Sequence, residues 1–252
     1  MFGSRIILKN GSKDEAEKPF WISYADLMTA LMVLFLVVMS VTLLAVTKKL
    51  DESTKGEAER NEDIKACLRQ VKNTEGDGIR VDEANRLIDF GTQALFRNKE
   101  YSVTPETATR LRTFTRRLLN AAHDPLCDKW LKRIVVEGYT SKIGDYLYNL
   151  NLSLNRSHRV ICALLSQPST ELNTLTSQEQ EDVRRLFLVG GYSSNSAKKT
   201  EEESRRIELR LEFLALNEPH QEGDDTKGEL GECQLDKRTN DRANRQATEL
   251  SP

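Results

Sequence analysis

The chain has 252 residues, 38% of them hydrophobic and 30% charged, with a formal net charge of -2. Such a length holds one medium domain with appendages. The near-neutral balance lacks the basic excess of a nucleic-acid binder, so no nucleic-acid partner is implied. The soluble-looking average also hides one apolar stretch diluted by a polar remainder.

Residues 1–18 form a short polar tail, and a membrane helix is predicted over residues 19–46. Pro19 suits a first helical turn, and Trp21 and Tyr24 suit a membrane interface. Residues 27–46 carry no charge, which is about the twenty residues a helix needs to cross a ~30 Å hydrocarbon core. The run exceeds a signal-peptide core of ~7–15 residues. Thr47-Lys48-Lys49 follows it instead of a small-residue cleavage site. A retained single-pass anchor in a lipid bilayer is therefore expected. Arg5, Lys9, Lys13 and Lys18 before the run nearly balance Lys48, Lys49 and Lys55 after it, so charge alone leaves orientation open.

Residues 47–75 are densely charged, with Ile64, Cys67, Leu68 and Val71 at helical spacing. This pattern fits a helical stalk that pairs with a second copy, or a charged linker. A mixed domain is predicted over residues 76–217. Ile79-Arg80-Val81 and Leu87-Ile88-Asp89-Phe90 suggest a hairpin, and Thr104-Pro105-Glu106 is a strong helix start. Residues 133–139 read as a strand ending near a glycine, residues 152–165 as a helix, and residues 177–186 as a shorter helix. In residues 206–213, Ile207, Leu209, Leu211 and Phe213 alternate with Arg206, Glu208, Arg210 and Glu212, the signature of a half-buried strand. The fold class is therefore α+β: one N-terminal transmembrane helix, then a mixed β-sheet with helices packed on one face. The polar tail, residues 218–252, is expected to be largely disordered apart from whatever holds Cys233.

Cys67, Cys127, Cys162 and Cys233 contain no C-x-x-C pair. In an exported domain they could close two disulfides in any of three connectivities, or Cys162 could serve only as core within Val160-Ile161-Cys162-Ala163-Leu164-Leu165. His123, His158 and His220 show no metal-ligand spacing, and no nucleophile elbow, phosphate loop or catalytic acid pair is present. No enzyme activity, metal or cofactor is expected.

Asp26 is the residue with chemistry to explain. A charged side chain inside a membrane helix costs roughly 2.5–3.5 kcal/mol on insertion scales. Burial disfavours the charged form of a carboxyl, so an acid at this depth exchanges protons rather than staying ionised. Ala30, one turn on, lets another helix approach closely. The alternatives are a polar contact that holds helices together, or an acid near enough to the interface to reach it.

The string Trp21-Ile22-Ser23-Tyr24-Ala25-Asp26-Leu27-Met28-Thr29-Ala30-Leu31-Met32 resembles the membrane helix of the MotB family, the stator subunit of ion-driven motors, whose motif reads Tyr-Ala-Asp-Phe-Met-Thr-Ala-Met-Met. The resemblance implies that Asp26 carries the translocated ion, taken as the proton with sodium left open. It further implies the inner membrane, a cytoplasmic N-terminus, a periplasmic C-terminal domain, and a homodimer inside a ring of five partner subunits.

Glu137-Gly138-Tyr139-Thr140-Ser141, then Asn149-Leu150-Asn151-Leu152-Ser153-Leu154-Asn155-Arg156, resembles the OmpA-like peptidoglycan-binding domain. Ser204-Arg205-Arg206-Ile207-Glu208-Leu209-Arg210 resembles its closing strand. In that family an arginine and an aspartate clasp the free ends of the cell-wall peptide stem. Arg156 inherits the arginine's role. Tyr139 stands where the family has histidine and Ser141 where it has the aspartate, and Asp145 could supply the missing acid. The expected peptidoglycan-binding set is Ser141, Asp145, Tyr148, Asn149, Leu152 and Arg156.

The strings 14–26, 146–150 and 186–191 are similar to the stator-like subunits of the Zorya antiphage systems. The implied partner is then a ZorA-like, that is MotA-like, membrane subunit, and the implied role is ion-driven signalling of phage invasion. A flagellar-type stator and a passive membrane-to-wall tether are the other readings.

Overall fold

The computed structural model describes residues 18–76, 78–91, 96–166, 173–220, 229–233 and 235; of residues 18–20, 22 and 23 only the backbone is described. The expected tail at residues 1–17 and most of the C-terminal one lie outside them. The chain divides into two compact units, Met1–Glu57 and Ala58–Pro252.

Helix α1, Lys18–Lys72, contributes to both. In the first unit every described side chain from Tyr24 to Lys55 is exposed. This stretch is long and apolar enough to cross a membrane. Its hydroxyls are satisfied inside the helix: Thr29 Oγ1 donates to the Asp26 carbonyl at 2.8 Å and Ser40 Oγ to that of Leu36 at 2.7 Å. A helix in hydrocarbon must pair its polar groups in this way.

The second unit begins inside the segment read as a stalk. Ile64, Cys67, Leu68 and Val71 are buried in its core, so the stripe expected to face a second copy packs against its own domain. Five strands follow: β1 (Arg80–Asp82), β2 (Leu87–Asp89), β3 (Leu131–Gly138), β4 (Phe187–Gly191) and β5 (Ile207–Phe213), in the order β1-β2-β5-β3-β4. The β3–β4 pair is parallel and the other pairs antiparallel. The helices are α2 (Pro105–Ala122), α3 (Pro125–Asp128), α4 (Tyr146–Leu165), α5 (Ser177–Leu186) and α6 (Glu201–Ser204).

Register sorts the two faces of the sheet. Ile134 opposes Leu211 and Val136 opposes Leu209, and all four are buried with Phe114, Leu118, Val160 and Leu164 from α2 and α4. On the other face Arg133 opposes Glu212 and Glu137 opposes Glu208. One face therefore carries the helices and the other carries charge, as the alternation predicts.

Helix α4 begins at Tyr146, six residues before the predicted start (152 − 146). Asp145 occupies the N-cap position, and its carbonyl accepts the Asn149 N–H at 2.9 Å. The helix lies directly on the ends of β3 and β4. A Cβ at Gly138 would sit 2.0 Å from the Ser153 carbonyl oxygen, and one at Gly191 would sit 2.9 Å from the Leu154 nitrogen. Only glycine permits this approach. Two disulfides, Cys67–Cys127 and Cys162–Cys233, fix one of the three connectivities. The second ties the tail to α4, and Leu235 beside it is buried.

Candidate functional site

The membrane carboxyl stands apart from the domain. Asp26 is exposed on α1 among exposed apolar side chains. Among the described residues its carboxylate has no hydrogen-bond or ion-pair partner. An acid so placed can bind and release an ion or meet a polar group on another helix.

In the domain, the strand-to-helix turn after β3 and the first turns of α4 enclose a cavity of about 290 Å³. All six residues expected to bind peptidoglycan line it: Ser141, Asp145, Tyr148, Asn149, Leu152 and Arg156. Their roles differ. Asn149 is buried, and its Nδ2 donates to the carbonyls of Ile143 at 3.1 Å and Gly144 at 3.3 Å, so it shapes the loop. Asp145 makes no side-chain cap bond to the helix, which leaves its exposed carboxylate available to a ligand. Tyr148 is half exposed at the rim, and Ser141 and Leu152 are buried.

Arg156 is fully buried. Its Nη1 donates to the Tyr139 carbonyl at 2.7 Å, its Nε to Glu100 at 3.0 Å and its Nη2 to Arg97 at 3.2 Å. Its guanidinium carbon lies 5.0 Å from the Phe96 ring centre. Burial, and then the nearby charge of Arg205, lowers its pKa to about 10. It still carries its charge at neutral pH, and among the described residues no carboxylate pairs with it. The guanidinium has five N–H groups, so two remain for a ligand.

Tyr139 does not reach the cavity. Its hydroxyl donates to Glu137 Oε2 at 2.7 Å, and Arg206 lies 4.1 Å over its ring. Burial first, and then Glu137, pushes its phenol pKa well above the ordinary tyrosine value, so it stays neutral.

The cavity wall also includes Asn98, Lys99, Thr140, Ile143, Gly144 and Arg205, none of them in the expected set. Thr140 sat unremarked beside Ser141. Arg205 lies in the turn just before β5, where strand alternation does not assign a face. Lys99 adopts a φ of 61° in its loop, a conformation no local motif announces. Among the described residues no three His, Cys, Asp or Glu side chains are grouped as a metal site.

A family model described as membrane MotB of the proton-channel complex MotA/MotB matches residues 8–51. The Zorya protein ZorB of Escherichia coli O139:H28 (strain E24377A / ETEC) is 42% identical over 232 residues, covering 89% of this chain and 93% of that protein. The periplasmic domain of Helicobacter pylori MotB is 14% identical at a TM-score of 0.35, covering 66% of this chain and 87% of that one. The type VI secretion cell-wall anchor of Pseudomonas aeruginosa is 20% identical at a TM-score of 0.34, covering 54% and 88%.

Proposed function

The chain belongs to the ZorB family of Zorya proteins, and on that premise we propose that it is the wall-anchored stator subunit of a proton-driven antiphage motor. Two copies stand within a ring of five ZorA-like membrane subunits, N-termini in the cytoplasm and C-terminal domains in the periplasm. Asp26 carries the proton. The domain grips peptidoglycan through the cavity around Arg156, which gives the surrounding ring something fixed to turn against.

The observation that carries this reading is Asp26 itself, a carboxyl bordering an uncharged apolar run in a helix whose described side chains are exposed through that run. An unpaired carboxyl in such a helix is costly, and a translocated proton removes the charge at each cycle. The second reading is a passive tether with Asp26 as assembly glue. It draws support from the position of Asp26, eight residues after the start of α1 at Lys18 (26 − 18), about two turns in.

Asp26→Asn separates the two. It keeps size and hydrogen bonding but cannot shuttle a proton. The motor reading expects an assembled complex that has lost both proton flux in proteoliposomes and protection against phage. Full protection by the asparagine variant would sink it. Co-purification separates the antiphage reading from a flagellar-type stator, by whether the ring subunit recovered is ZorA-like.

A further inference from the structure

The two disulfides sit in different surroundings. Cys67 and Cys127 are 1% and 0% exposed, inside the core. Cys162 and Cys233 are both partly exposed. Exchange at a disulfide requires a thiolate to reach one of its sulfurs. The second bond can be met in the folded protein, whereas the first is met only when the core opens.

Charge adds an independent sign. Arg159 lies one turn before Cys162 on α4, and its Nη1 donates to Cys233 Sγ at 3.7 Å. A guanidinium beside a sulfur favours its departure as a thiolate. The better leaving group decides which sulfur is attacked, so attack is directed to Cys162 Sγ and Cys233 is expelled toward Arg159. Glu232, next to Cys233 in the chain, is exposed to solvent, where its charge is screened.

The two cysteines also differ in what holds them. Cys162 is fixed on α4 among Ile161 and Leu165, which pack against the core. Residues 229–233 hold no regular secondary structure. A segment of that kind lies at the low end of the local-opening scale, so once the bond is cut the two sulfurs part.

We propose that Cys162–Cys233 is a thiol–disulfide exchange site for a dithiol reductant, opening to free residues 229–233 from α4 while Cys67–Cys127 stays closed. One thiolate of the reductant bonds to Cys162 Sγ, and the bond between the two cysteines breaks with its electron pair leaving on Cys233. The reductant's second thiolate then attacks its own sulfur in that mixed disulfide and expels Cys162. Two electrons pass from the reductant, which ends as a disulfide, and its two thiol protons end on Cys162 and Cys233. The exchange lies outside the stator reading and does not depend on it.

The test treats the folded full chain in nanodiscs with dithiothreitol, quenches with an alkylating agent at intervals, and follows each cysteine by peptide mass spectrometry. Cys162 and Cys233 should be labelled about a hundredfold faster or more than Cys67 and Cys127, since the core bond waits on core opening. Glutathione, a single-thiol probe quenched early in acid, should be found on Cys162 with Cys233 free. Arg159→Gln should slow opening about threefold or more, and Arg159→Lys should restore it. Amide hydrogens of residues 229–233 should exchange about tenfold faster or more once the bond is open.

Equal labelling of the two pairs, or no labelling of Cys162 and Cys233 before the protein unfolds, overturns the proposal. So does unchanged hydrogen exchange after reduction, because the segment would then have stayed in place. Glutathione found on Cys233, or an Arg159→Gln rate equal to that of the unmodified protein, overturns the direction of attack and the part given to Arg159. If Arg159→Gln fails to fold, the labelling order and the glutathione position in the unmodified protein still decide it.

Discussion

The Cys67–Cys127 bond should be worth far more to the domain than Cys162–Cys233, although both close loops of similar length. Cys67 and Cys127 are 60 residues apart and both are buried in the core. Cross-linking a loop of that size removes about 14 cal/mol/K from the unfolded chain in the entropic model, about 4 kcal/mol at 25 °C. The folded state recovers little of this when the bond is cut, because α1 stays held in the core by Ile64, Leu68 and Val71. Cys162 and Cys233 are 71 residues apart, and the same model gives a similar unfolded-state figure. Here the native end can let go. Leu235 is the one described residue beyond Cys233 and is buried, which contributes only about 1.5–3 kcal/mol. A released tail regains its entropy in the folded state as well, so the net loss should stay below about 2 kcal/mol. The assay is urea unfolding of the full chain in detergent, with Trp21→Phe leaving Trp130 as the fluorescent reporter. Trp130 sits at the first bond, its backbone N–H donating to the Cys127 carbonyl at 3.0 Å and its indole to Asp63 at 2.9 Å. The paired alanine variants at 67/127 and 162/233 should differ by about 2 kcal/mol or more on this argument. Equal losses, or a loss under about 1 kcal/mol at 67/127, would refute the reasoning.

Three further outcomes follow from packing and charge. Gly138→Ala places a carbon 2.0 Å from the Ser153 carbonyl oxygen; α4 must move off the sheet, lowering stability by about 1–3 kcal/mol or more and disturbing the Arg156 contacts, which melting temperature and peptidoglycan pelleting would register. Arg156→Met strands three backbone carbonyls, so it should cost about 3 kcal/mol as well as wall binding; a variant as stable as the parent would remove its structural role. Stability should also fall in acid. Burial pushes the carboxyls of Asp89 and Glu179 up, but Lys198 with the Gly91 N–H, and Arg116 with Thr176, hold both below their ordinary values. A depressed folded pKa gives stability that is present above the unfolded value and lost as pH drops through the folded one. Urea midpoints should therefore stay level above about pH 5 and decline from about pH 4 downward, with less decline in Lys198→Met; an unchanged profile in that variant would discount the Asp89 pair.

Much of the domain was legible because its local signals agree with its packing. The alternation in 206–213 identified β5 and sorted its faces, since period two leaves each side chain one choice. Thr104 before Pro105 marked the start of α2, and the Thr104 hydroxyl does accept the Thr107 N–H at 3.2 Å. The disulfide pairing was not legible, since any of three connectivities satisfies the spacing. Nor was the fate of Ile64, Cys67, Leu68 and Val71: an apolar stripe on a charged helix announces that something covers it, not whether the cover is a second copy or the same chain. The six expected wall-binding residues converge on one cavity, but the motif that located them is silent about Arg205, whose place depends on a turn and a distant loop.

The departure at Tyr139 shows how strand geometry assigns what a motif comparison cannot. Residues 137 and 139 differ by two, so their side chains share the charged face of the sheet. Tyr139 stacks on Tyr192 there, with centroids 5.4 Å apart, and closes over Glu137. Glu137, fully buried, is held by Arg210 through Nε at 2.5 Å and Nη2 at 3.1 Å. Its charge is neutralised within that face and is not shared with the cavity. Glu208 is likewise engaged by Arg206 at 2.7 Å. The nearest strand carboxylates are thus committed to partners on the charged face, and the cavity's guanidinium groups keep their charge for whatever anion enters. A histidine at 139 has no hydroxyl to offer Glu137, so the tyrosine serves the charged face, while Ser141 lines the cavity itself.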